Sequence, residues 1–250
     1  MHRMIEHESK FHIVIPPYIP LIIGASLVLA AIVGSMTFYS VRAMDNVLTV
    51  TGSAKTAVTS DTVKWKISIA RKTFESSLSS GYPQLARDVD SARAFLTANG
   101  VAADAITVSQ VYTEEIYKYD QNAGPREFNL RQEITVQSKD VAGVDVLSKR
   151  INELAAKGVF VQWNNVEYYV SNLPELRVSL LADAIKDARA RAEQIAKAGG
   201  KGVGSLKSAS SGVVQVLQPN SIEVTDYGAY DTSTIEKEVM VTARATFLVR

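Results

Sequence analysis

The chain has 250 residues and a mass of 27.2 kDa; it is 46% hydrophobic and 21% charged, with 27 Lys and Arg against 26 Asp and Glu. That composition supports a folded body with a core of its own and excludes a disordered charged tail. Three of the basic and two of the acidic residues fall in the first 43 positions, leaving 24 of each. A body so neutral lacks the basic excess of a phosphate-backbone binder, and no nucleic-acid partner is expected. Cysteine is absent, which removes disulfides, thiolate zinc sites, cysteine nucleophiles and iron–sulfur ligation. His2, His7 and His12 are the three histidines, so the body has no imidazole for a Ser-His-Asp relay, a histidine zinc site or a proximal haem ligand. Chemistry in the body is left to carboxylates, Lys, Tyr or a carboxylate-held metal. No motif calls for a cofactor or a metal, and none is expected.

Residues 1–18 read as a short tail, set off from the apolar run by Pro16, Pro17 and Pro20. Residues 19–42 are the predicted transmembrane anchor. No charge interrupts Leu21–Val41, which at about 1.5 Å per residue spans about 30 Å as a helix, the thickness of a bilayer core. Tyr18, Phe38 and Tyr39 stand where an interfacial aromatic belt belongs. The alternative is a secretory signal cut after Ala43; the apolar run is longer than the usual signal core of about 7–15 residues. Arg3 and Lys10 before the span and Arg42 and Lys55 after it leave the orientation tied. Ser26, Ala30 and Gly34 form a small-residue stripe for helix packing in the membrane, unless they are ordinary membrane-helix usage.

The body, residues 46–250, opens with a strand at Val47–Thr51. Asp61–Arg71 alternates Val63, Trp65, Ile67 and Ile69 against polar partners, a half-buried strand. Gly81 and Pro83 open a helix that Asn99-Gly100 closes. Ile106–Tyr119 and Phe128–Ser138 are the arms of a long hairpin turned at Asp120–Pro125. A helix over Val141–Lys157 ends at Gly158, and Val159–Val170 is extended. From residue 61 the order is β-α-β-β-α-β, that of a ferredoxin-like split βαβ unit. The predicted class is α+β, with an antiparallel or mixed sheet.

A third helix, Glu175–Ala198, lines one side with Ala184, Ala188, Ala192 and Ala196, a narrow face that permits close approach to a sheet or to a second subunit. Subunit contact is the expectation adopted for it. Asp187 with Arg191, and Glu193 with Lys197, are i, i+4 pairs on its solvated side. Strands at Val203–Leu217 and Glu236–Val249 flank a polar Gln218–Thr234 loop, long enough to expect binding or subunit contact of it.

Few features suggest chemistry. The glycines at 199, 200, 202 and 204 come after a helix and enter a strand, the reverse of a phosphate loop, and fit a helix cap. Glu114 and Glu115 are neighbours in a strand and point to opposite faces. Asp226 and Asp231 lack the regular oxygen ligands of an EF-hand calcium loop. Strand tyrosines 112, 117, 119, 168 and 169 suit sheet packing or subunit contact.

Leu48-Thr49-Val50-Thr51-Gly52 with Ser60-Asp61, Asn99-Gly100-Val101 before Ile106-Thr107, the tyrosine-bearing hairpin, and the helix running Ala184, Ala188, Ala192, Ala196 into Gly200 and Gly204 together resemble the SIMPL-domain family of bacterial envelope proteins, from about Asn46 to Arg250. Thr59 stands where many members have Pro before the aspartate, and Ser53 where an acidic residue often succeeds the glycine. The resemblance implies an α+β body in the periplasm, large ring-like or channel-like self-assemblies, and a link to oxidative and envelope stress. It brings no catalytic residues. The expectation is a non-enzymatic, single-pass inner-membrane protein whose partners are the lipid bilayer and copies of itself, in a ring or cage. A binding or chaperone-like module using residues 218–234 is the alternative, and a carboxylate-dependent hydrolase a further one.

Overall fold

A computed structural model describes residues 16, 18–43, 46–117, 124–221 and 227–250. In the first helix, α1 (Tyr18–Ala43), no residue of the Tyr18–Val41 span is buried by the described residues. Three residues later the body begins. Its strands are β1 (Val47–Thr59), β2 (Thr62–Phe74), β3 (Ile106–Val108), β4 (Tyr112–Ile116), β5 (Glu127–Ser138), β6 (Val161–Tyr169), β7 (Val203–Leu217) and β8 (Glu236–Val249). Its helices are α2 (Leu78–Ala98), α3 (Val141–Lys149), extended by a 3-10 stretch at Ile151–Lys157, and α4 (Leu173–Ala198).

These elements form two helix-on-sheet layers. In the first, the strand order β3-β5-β2-β6, all antiparallel, is that of a ferredoxin-like unit, so the element order and its expected topology agree. The alternation of β2 puts Val63, Trp65, Ile67 and Ile69 under α2 and α3, against Leu85, Leu96, Leu130, Ile134 and Leu154, all fully buried. Each such side chain contributes about 1.5–3 kcal/mol of burial, making this the main core. In the second layer β8 lies between β1 and β7, covered by α4. Here small residues replace large ones on the helix: Ala188 and Ala192 meet Val50, Ala245 and Phe247.

Several boundaries differ from those expected. β1 runs on to Thr59 because β8 offers a pairing partner along its whole length, Val47 opposite Leu248 to Thr59 opposite Glu236. The strand expected at Ile106–Tyr119 is broken at 109–111, where the register against β5 shifts by one residue; the Ser109 hydroxyl accepts the Glu133 N–H at 3.0 Å in place of a ladder bond. Helix α2 starts at Leu78 and carries Pro83 inside it. The helix expected at Val141–Lys157 tightens to 3-10 after Arg150 and ends at Gly158, whose φ of 76° is open to glycine without strain. The hairpin tip and the N-terminal histidines lie largely outside the described residues.

Candidate functional site

The alanine face of α4 is enclosed within the chain. Ala184, Ala188 and Ala192 are wholly buried and Ala196 nearly so, seated on β1 and β8. The fit depends on Gly52: a Cβ there would lie 2.8 Å from Ala188 Cα, with Ala184 O closer still. Of the two uses expected for narrow alanine faces, the structure shows close approach to a sheet, the methyl groups being packed on β1 and β8 within the chain. Asp187, expected to be a solvated partner of Arg191, does more: its carboxylate accepts the Ser53 N–H at 2.9 Å and the Arg191 Nε–H at 2.7 Å. These bonds, the Ser53 N–H foremost, hold its pKa below the ordinary value of 3.8. Glu193 pairs with Arg189 instead of Lys197.

The glycine cluster after α4 is a helix cap. Gly200, at φ 70°, donates its N–H to Lys197 O at 3.0 Å and Lys201 to Ala196 O at 2.8 Å, the paired bonds of a Schellman motif.

The loop between β7 and β8 is built as a brace. Val216 donates to Ala229 O and Asp231 to Val216 O, each at 2.8 Å, so residues 229–231 add a short parallel partner to the edge of β7. Asp231 sits at the centre of a polar knot: its carboxylate accepts the backbone N–H and hydroxyl of both Ser233 and Thr234, and the ammonium of Lys237 at 3.1 Å. The Lys237 Nζ also donates to Asp231 O at 2.6 Å, and its side chain is 0% exposed. Burial opposes ionisation of Asp231, but the donors outweigh it and hold the pKa far below the carboxylate range. A carboxylate this fully engaged is no calcium ligand; Asp226 lies outside the described residues.

The same loop ties the two layers together. Tyr168 donates its N–H to Thr232 O at 2.8 Å, Val170 donates its N–H to the Tyr230 hydroxyl at 3.0 Å, and Ser60 to Ile235 O at 2.9 Å. The Tyr230 ring lies 5.8 Å from that of Tyr169. Tyr168 is buried, and its hydroxyl donates to Asp145 at 2.7 Å. Desolvation, with that carboxylate's charge, pushes the phenol far up. Tyr112 lies under the Arg131 guanidinium, Tyr117 is exposed, and Tyr119 falls outside the described residues. Lys237, Tyr230 and the role of Gly52 were missed from sequence; only Lys237 left a signal, standing in phase with Val239 and Val241 on the inward side of β8.

Among the described residues no three His, Cys, Asp or Glu gather as metal ligands. Asp61, Glu115, Asp145, Glu153, Asp187 and Asp231 are all shifted downward by hydrogen bonds or cations, whereas a general acid requires an upward shift. Glu115 is gripped by both Nε and Nη2 of Arg126, at 2.8 and 2.9 Å. Ser26, Ala30 and Gly34 lie on the unburied span, where the Ser26 hydroxyl donates to Ile23 O at 2.9 Å. That helix is long and apolar enough to cross a membrane, as an anchor or a signal sequence.

No curated protein matches the chain. Among solved structures, a de novo designed protein, Foldit4, shares 15% identity over 42% of this chain and 94% of its own, with a TM-score of 0.22, a likeness too slight to carry fold or function. The SIMPL family, described as a protein of unknown function (DUF541), matches residues 48–247, which takes in both layers from β1 to β8. The chain belongs to the SIMPL family.

Proposed function

We propose that the protein is a non-enzymatic, membrane-anchored envelope protein that assembles with copies of itself into a ring or cage, its body in the periplasm and its tail in the cytoplasm, and that it serves in tolerance of envelope and oxidative stress. The observation that carries this reading is α1, an apolar helix with no residue of its span buried, joined directly to a folded SIMPL body. An apolar surface of that size demands a bilayer or other helices. The body supports assembly in a second way: β1 and the first part of β7 are the two edges of a three-stranded sheet, long strands with one side unpaired by any other named strand. The downward-shifted carboxylates speak against the hydrolase alternative.

The test is native mass spectrometry of the full chain extracted in mild detergent. A full-length subunit in a closed multimer supports anchor and assembly together; a monomer overturns assembly, and a subunit cut after Ala43 overturns the anchor. The binding-module alternative is narrower than the sequence allowed, since residues 229–235 are committed to the brace.

A further inference from the structure

The body presents one particular end to the anchor. Ala43 closes α1 and Asn46 is already hydrogen-bonded into the sheet, its carbonyl accepting the Val249 N–H at 2.9 Å. Three peptide steps reach at most about 11 Å, so this end of the sheet lies against whatever surface α1 enters. The antiparallel pairing of Val47 with Leu248, and of Val203 with Val249, brings the start of β1, the end of β8 and the start of β7 to the same end. The Schellman turn adds the last turn of α4.

What those segments place there is unlike the rest of the neutral body. Lys197, Lys201 and Arg250 are exposed, and among the described residues none of them is in an ion pair. The nearby acid of α4, Glu193, is already paired with Arg189; Asp45 lies in the connecting segment outside the described residues. Val47 and Ile195 expose 39% and 53% of their surfaces beside these cations. Between them opens a notch of about 290 Å³, walled by Leu48, Ala196 and Val249 with Lys201 at its margin. Unpaired cations interleaved with apolar side chains match the headgroup region of a bilayer, where phosphates lie above the first methylenes. Cations at a helix C-terminus also offset the helix dipole, but that role calls for neither Arg250 nor the exposed Ile195.

We infer that this end of the body docks on anionic phospholipid headgroups of the bilayer that α1 enters, Lys197, Lys201 and Arg250 meeting phosphates while Val47 and Ile195 dip between them; the inference rests on α1 being a retained anchor. The test is hydrogen exchange on the full chain in nanodiscs of phosphatidylcholine with and without phosphatidylglycerol. Peptides covering 195–204 and 46–50 are expected to exchange about tenfold more slowly when the anionic lipid is present, and Lys197→Glu, Lys201→Glu and Arg250→Glu together abolish the difference. All three side chains are exposed and unpaired; charge reversal at the end of α4 works against the helix dipole, so a melting temperature in detergent within a few degrees of the wild type verifies folding. Equal exchange in the two lipids, or a lipid effect that survives the triple substitution, overturns the docking. Release of the wild-type chain from vesicles by an alkaline carbonate wash overturns instead the anchor on which it rests.

Discussion

Gly52 lies beneath Ala188 with no room for one further carbon: a Cβ at position 52 would come within 2.8 Å of the Ala188 Cα. The obstruction is helix backbone, which cannot rotate aside as a side chain would. Gly52→Ala is therefore expected to lift α4 from β1 and cost about 3 kcal/mol, the upper range for overpacking. Urea denaturation of the variant checks it, and a loss within error of zero would mean that the contact is looser than described.

The Asp231–Lys237 pair predicts an asymmetry. Asp231→Ala leaves a fully buried ammonium without its counter-charge, though still donating to the backbone carbonyl of residue 231, and is expected to cost about 3 kcal/mol. Lys237→Met costs less, under about 2 kcal/mol, because Ser233 and Thr234 still donate to the carboxylate. The double variant should recover part of the Asp231→Ala loss. Equilibrium unfolding of the three variants gives the coupling directly.

Acid sensitivity arises from the same carboxylates. Asp61, Asp145, Asp187 and Asp231 have folded pKa values below the ordinary 3.8, so the unfolded chain takes up protons first as the pH falls. Their contribution is complete above about pH 5 and drains away as the pH drops through and below 4. Stability measured from pH 7 to pH 2 should be level and then fall, and Asp231→Ala should flatten the acid limb.

Tyr230→Phe removes the acceptor of the buried Val170 N–H and nothing else polar. The expected cost is about 1 kcal/mol, accompanied by faster hydrogen exchange at the Val170 amide while the amides of β2 stay protected. Equal loosening of both would mean that Tyr230 supports the core as a whole and not the junction between layers.

The ferredoxin-like layer was legible because its strands alternate and its helices carry regular apolar stripes; Trp65, Ile67 and Ile69 declare their face without help from the rest of the chain. β8 was legible to the residue for the same reason. The end of β1 was not: Ser53–Thr59 has little apolar rhythm and becomes strand only because β8 runs beside it. The brace was hidden for a related reason. Asp231 looks like a loop acid in a polar stretch, and its partner Lys237 could be suspected only from standing in line with Val239 and Val241. The alanines of α4 announced close packing but not against what, since the complementary glycine lies 132 positions earlier, at Gly52 rather than next to Ala184. Contacts that join distant parts of a chain leave no local periodicity to read.

β8 stands between β1 and β7 and is the last strand made. Val47, near the start of the body, waits for Leu248, near its end. At about 5–20 residues per second the ribosome takes on the order of ten seconds or more to supply that partner, ample time for the ferredoxin-like layer to fold meanwhile. Until then β1 is an unpaired strand beside the apolar helix α1, the stage at which the nascent protein is most exposed to wrong pairing with its neighbours. A chain interrupted between Tyr169 and Glu236 keeps every strand of the first layer and forfeits the sheet of the second, since among the named strands β8 is the partner of both β1 and β7.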